Sequence, residues 1–134
     1  MTPQELRVRI KTFAHRCVHV CEALPLSRLS AAVIAKQLIR SSLSASTNYR
    51  SATRAQSKAQ FLAKLNIALE EIDESVEWLE NIVDLEIIPI DKLEHLLDEG
   101  NQLVKILGAA KNTLQIKLGK KPEKVFQQIP DIQS

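Results

Sequence analysis

The sequence predicts an all-α fold, an up-and-down antiparallel four-helix bundle, and three observations lead there. Apolar residues recur at helical rather than alternating spacing. Chain breakers are sparse: three glycines and five prolines in 134 residues, no Asn-Gly or Asp-Gly hairpin signal, and few aromatics. The breakers that do occur divide the chain into four long segments with short connections, for which antiparallel neighbours are the economical topology. One domain is expected over residues 1–118, with a polar C-terminal tail over 119–134. At 45% apolar residues, such a domain can bury a core without disulfides or metals.

The elements follow in order. Thr2-Pro3-Gln4-Glu5 is a capping box with proline at the first helical position, and Leu6, Ile10, Phe13, Cys17, Val20, Cys21 and Leu24 follow at helical spacing until Pro25 ends the first helix. Ser27 is positioned to cap a second helix that meets no break before Ser57-Lys58-Ala59-Gln60, a second capping box. The third helix should bury Phe61, Leu65, Ala68, Ile72, Val76, Leu79 and Val83, stopping before Pro89. Asp91-Lys92-Leu93-Glu94 reads as a third box, opening a fourth helix with Leu93, Leu97, Gly100, Val104, Leu107 and Leu114 on one face. Gly119 to Pro122 stops it.

Charge is balanced overall, +2, but not along the chain. From Ala23 to Leu69 there are seven cations and no acid; from Glu70 to Glu99 there are twelve acids and only Lys92. Folded up and down, residues 1–14, 42–71 and 105–134 form one end with a net charge of +8, and residues 15–41 and 72–104 form the other with −6. Helix-dipole complementation accounts for Asp91, Glu94, Lys111 and Lys117. It does not account for Arg7, Arg9, Lys58 and Lys64 toward N-termini, or Glu77, Glu80 and Asp84 toward a C-terminus. Antiparallel register should pair Arg40 with Asp73 or Glu74 and Lys36 with Glu77. Arg50, Arg54 and Lys58 fall near the turn with no acid in reach of that hairpin, a cation cluster of the kind that meets anions.

On the second helix, Lys36, Arg40, Thr47, Arg50 and Arg54 lie within an ~80° stripe opposite Ala31, Ile34, Leu38, Ala45, Tyr49 and Ala52. The serine-rich run from Ser41 to Asn48 has small side chains that permit close helix approach, and a tight helix pair is its expected use, ahead of phosphate contact.

Several segments carry a resemblance: Phe13-Ala14-His15-Arg16, Ala23-Leu24-Pro25, Gln37-Leu38-Ile39-Arg40-Ser41-Ser42, Asn48-Tyr49-Arg50-Ser51-Ala52, the stretch from Arg54 to Phe61, Lys64-Leu65, and the stretch from Glu74 to Leu79. Together they resemble the four-helix-bundle proteins that include the 23S rRNA intervening-sequence proteins, and more distantly the accessory proteins of diversity-generating retroelements. The likeness spans about residues 5–110, with Asn48, Tyr49, Arg50, Arg54, Ser57, Phe61, Lys64 and Trp78 on its signature. It implies a homopentameric ring of up-and-down bundles, with nucleic-acid binding suspected for some members, and it supplies no catalytic residue. Ser51 stands where the family often has an acid or alanine, and the retroelement proteins are more basic than this chain.

Patterning also points to assembly. Ile67, Trp78 and Leu85 project within ~20° of one another on the third helix, ~150° from its expected core seam, as an oligomer interface would. In a ring with parallel bundle axes, the basic ends would add on one face. Chemistry is less well represented. His15, His19 and Glu22 share a helix face, a spacing compatible with a metal, but nothing around them would orient such a site, and no metal or cofactor is expected. Cys17 and Cys21 fall on the core side as packing residues. Zinc-hydrolase, di-iron and phosphate-loop motifs are absent, so an enzyme is not expected.

The expected function is nucleic-acid association through the basic pole, with RNA or DNA contacted by Arg50, Arg54, Lys58 and Lys64 and supported by Arg9 and Lys11. A protein-interaction scaffold with a protein partner and no nucleic acid is the alternative. With two cysteines, no apolar leader and no run long enough to span a bilayer, a cytoplasmic protein without membrane contact is expected.

Overall fold

A computed structural model describes residues 1–119. It contains four helices, α1 (Pro3–Glu22), α2 (Leu29–Thr53), α3 (Lys58–Asp84) and α4 (Ile90–Lys117), and no strand among the described residues. The tail expected beyond Gly119 lies outside them. Packing follows chain order, α1 on α2, α2 on α3 and α3 on α4, and a sparser α1–α4 seam closes the bundle. None of these helices is long and apolar enough to cross a membrane.

Two of the expected caps form. Thr2 Oγ1 accepts from the Glu5 N–H at 3.1 Å, and Glu5 Oε2 accepts from the Thr2 N–H at 2.9 Å, completing the box on α1. Ser57 Oγ accepts from the Gln60 N–H at 3.1 Å, but Gln60 Oε1 reaches one residue further back, to the Gln56 N–H at 3.0 Å. The other two expectations fail. Helix α2 opens at Leu29 behind Arg28, which makes no side-chain cap; its guanidinium instead donates to the Leu85 carbonyl at 2.7 Å, tying the first turn to the end of α3. The N-cap of α4 is Pro89, whose extended backbone (φ −67°, ψ 150°) starts the helix directly after it. Asp91 is therefore already helical, and acts as a favourable first-turn charge rather than a cap.

Helix α3 ends without glycine. Glu86 adopts φ +57°, its N–H bonds the Val83 carbonyl, and the Ile87 N–H bonds the Ile82 carbonyl, both at 2.9 Å. This is a Schellman termination with a glutamate at the left-handed position.

The core is rotated relative to expectation on two helices. On α3, Leu62, Ser75 and Ile82 are buried, while Phe61 and Val83 are only half-buried. On α4, Leu96, Leu103 and Gln115 are buried, while Leu97, Val104 and Leu114 are half-buried. The reason is tertiary: each helix faces two neighbours, and its buried arc centres between them. α2 approaches α3 closely along its small residues, where Ser41 and Ser75 hydroxyls meet at 2.8 Å and Ser41, Ser42 and Ala45 have no exposed surface. That contact draws Ser75 and Ile82 inward, and the serine run thus serves the tight pair it was expected to make. Gly100 lets α4 settle inward, since a Cβ there would lie 2.6 Å from Val76 Cγ2 and 3.0 Å from Phe13 Cε1.

Candidate functional site

The α2–α3 turn is built from a helix end and a helix start in immediate succession. Arg50 lies in the last turn of α2, Arg54 is its C-cap, Lys58 is the first residue of α3, and Lys64 follows within two turns. All four are exposed, and none forms a salt bridge with any described residue. Four cations therefore stand at one end of the α2–α3 hairpin without internal neutralisation.

Two grooves flank the turn. The first, about 400 Å³, is lined by Arg54 and Lys64 with Ser51, Gln56 and Gln60. The second, about 540 Å³, is lined by Lys58 with Ser57, Phe61 and Leu114, the last reaching over from α4. Ala55 and Gln56 border both. The apolar second groove departs from the sequence expectation, which places Phe61 in the core seam; Phe61 is instead half-buried at its edge. Its place in the first turn after the Ser57 cap is the available signal: an aromatic in the first turn of a helix lies at the edge of a core. Tyr49, one turn back on α2, is buried, and desolvation raises its phenol above the ordinary value.

The structure does not bring the two supporting cations into these grooves. Arg9 is half-buried and donates to both carboxylate oxygens of Glu99, at 2.8 and 2.7 Å, and to Gln102 at 2.7 Å. Lys11 is exposed and lines neither groove. Along the α2–α3 hairpin, Arg40 meets Glu74, one of its two expected partners, but takes Glu71 rather than Asp73 as the second, and Lys36 has no salt bridge among the described residues. The Glu99 hydrogen bond raises the Arg9 pKa, and the Glu74 hydrogen bond does the same for Arg40.

The expected interface strip runs along α3, from Ile67 in the half nearer the turn to Leu85 at the far end. Ile67 is 38% and Leu85 45% exposed, but Trp78 is half-buried against the core and donates its indole N–H to Glu74 Oε2 at 3.1 Å. A helical wheel of α3 does not include the core cluster and α2 groove beside which the indole lies. Trp78 and Leu85 instead share a groove of about 360 Å³ with Ser30, Val33 and Ile34 of α2. Val33, 49% exposed, and Leu29, 80% exposed, extend this apolar surface and were missed because they belong to the second helix.

His15, His19 and Glu22 are exposed; His19 Nδ1 lies 3.5 Å from Glu22, and no group of three potential metal ligands occurs among the described residues. Cys17 and Cys21 are buried free thiols. Desolvation raises both, Cys21 to about 11.

Residues 5–109 match the profile of the 23S rRNA-intervening sequence protein family. Among solved structures, the chain is similar to a protein of unknown function from the S23 ribosomal protein family of Bacteroides thetaiotaomicron. The two are 32% identical with a TM-score of 0.72, over 79% of this chain and 97% of that one. No curated protein matches the chain.

Proposed function

The chain belongs to the 23S rRNA-intervening sequence protein family, and from that premise we propose that it is a non-enzymatic, self-assembling bundle that contacts the phosphate backbone of nucleic acid through its α2–α3 turn. The observation that carries this reading is the clustering of four cations without acids at the α2–α3 turn. Arg9 and Arg40 are matched to carboxylates, while Arg50, Arg54, Lys58 and Lys64 have no salt-bridge partner among the described residues and stand together. Concentrating like charge without internal compensation raises the energy of the free protein, and a polyanion relieves it. The family's description names an intervening sequence of 23S rRNA, which makes RNA the first polyanion to test. The apolar surface of Val33, Trp78 and Leu85 supports self-assembly, and a ring of like-oriented subunits would multiply the basic pole.

The test is binding to single- and double-stranded nucleic acid across a salt series, with mass determined alongside. Affinity should fall steeply with salt, and neutralising Arg50 and Arg54 together should lower the slope by roughly one to two while weakening all sequences alike. Neutralising Lys92, at the opposite end, should leave binding unchanged. Absence of binding at low salt would refute the reading. A second reading, a protein scaffold without nucleic-acid affinity, is favoured by the same apolar surface beside the acidic face of α3.

A further inference from the structure

Resting on the basic-pole reading, we infer that the α2–α3 turn is built for single-stranded nucleic acid, with phosphate in the groove of Arg54 and Lys64 and an unstacked base in the groove of Phe61 and Leu114. The cation cluster alone would suit any polyanion. The second groove narrows the choice, because it offers an aromatic ring and a leucine beside Lys58, and an apolar recess is of no use to a phosphate. A duplex keeps its bases stacked inside and presents charge to such a surface, leaving the recess unfilled. A single strand exposes both phosphates and flat base faces, and proteins bind it by combining a cationic track with aromatic platforms.

The two grooves are adjacent, since Ala55 and Gln56 line both. The ridge between them is set before any ligand arrives: Gln60 accepts from the Gln56 N–H at 3.0 Å, and Ser57 accepts from the Gln60 N–H at 3.1 Å. A preset ridge reduces the ordering that binding requires.

The full-length protein is titrated at low salt with a fluorescent single-stranded RNA, an abasic ribose-phosphate strand of equal length and charge, and the matching RNA duplex. The base-bearing strand should bind about tenfold more tightly than either of the others, the scale expected for one stacked base. Phe61→Ala should remove that preference and leave abasic binding unchanged, while Lys64→Gln should weaken all three. Equal affinity of wild-type protein for base-bearing and abasic strands would overturn the inference and leave the basic-pole reading standing, as would tightest binding to duplex. That comparison needs no variant, so it holds even if Phe61→Ala fails to fold. Failure of all three probes to bind, including a protein that takes up only acidic peptides, would overturn both.

Discussion

Arg9 and Glu99 clasp α1 to α4: the guanidinium Nε and Nη2 meet the two carboxylate oxygens at 2.8 and 2.7 Å, on side chains about three-quarters buried. The clasp sits on the α1–α4 seam, the sparsest between neighbouring helices. Charge-assisted, two-pronged pairing is strong for its size. Arg9→Ala and Glu99→Ala should each destabilise the protein by about 1–2 kcal/mol, with a coupling of about 1 kcal/mol in the double-mutant cycle, read from urea midpoints. Arg9→Ala should also leave the salt dependence of nucleic-acid binding unchanged, in contrast to the Arg50/Arg54 pair.

Gly100 and Gly108 lie on the same helix and should respond oppositely to alanine. At Gly100 the new methyl would press on Val76 and Phe13, both core residues, and should cost about 1–3 kcal/mol. Nothing lies within 4 Å of a Cβ at Gly108, so Gly108→Ala should stabilise by up to ~1 kcal/mol through helix propensity. Thermal melts of the two variants check the sign directly.

Glu86 holds a left-handed backbone that side chains disfavour. Glu86→Gly keeps both closing hydrogen bonds and removes the steric cost, so the melting temperature should rise, by an amount corresponding to about 0.5–1 kcal/mol. A lower melting temperature would mean that the glutamate side chain contributes more than its backbone costs.

Burial of Cys17 and Cys21 gives stability an alkaline limit. Both thiols titrate above the unfolded value near ~8.5, Cys21 at about 11. Above pH ~8.5 the unfolded chain releases protons that the folded chain retains, so stability is intact below that pH and falls as pH rises toward 11. The urea midpoint should drop between pH 8 and ~10, and less so in Cys21→Ala. Native protein should also resist a thiol reagent that labels the unfolded chain at once.

Assembly is tested better at Leu85 and Val33 than at Trp78. Trp78 packs on the core and bonds Glu74, so its loss mixes folding with association. Leu85→Glu with Val33→Glu should reduce the sedimenting mass while helical content is retained. Wild-type protein that sediments as a monomer at micromolar concentration would contradict self-assembly.

Helix existence, chain order and the cation cluster at the α2–α3 turn were legible because their determinants are local. Apolar spacing, the Thr2 and Ser57 caps and the placement of Pro25 and Pro89 act within a turn or two of the residues they organise. Arg50, Arg54, Lys58 and Lys64 stay together because they lie within 15 consecutive residues around that turn. The tertiary structure alone decided which face of each helix is buried and which charges are matched. One residue along a helix is ~100° of rotation, so the seam of α4 moves from Leu97 and Val104 to Leu96 and Leu103 when its two neighbours share its burial. The same dependence on neighbours gave Arg9 to Glu99, 90 residues away, packed Trp78 on the core beside α2, and placed Leu114 beside Phe61. A sequence pattern specifies where a side chain points on its own helix, but its partner is set by the helix that packs against it.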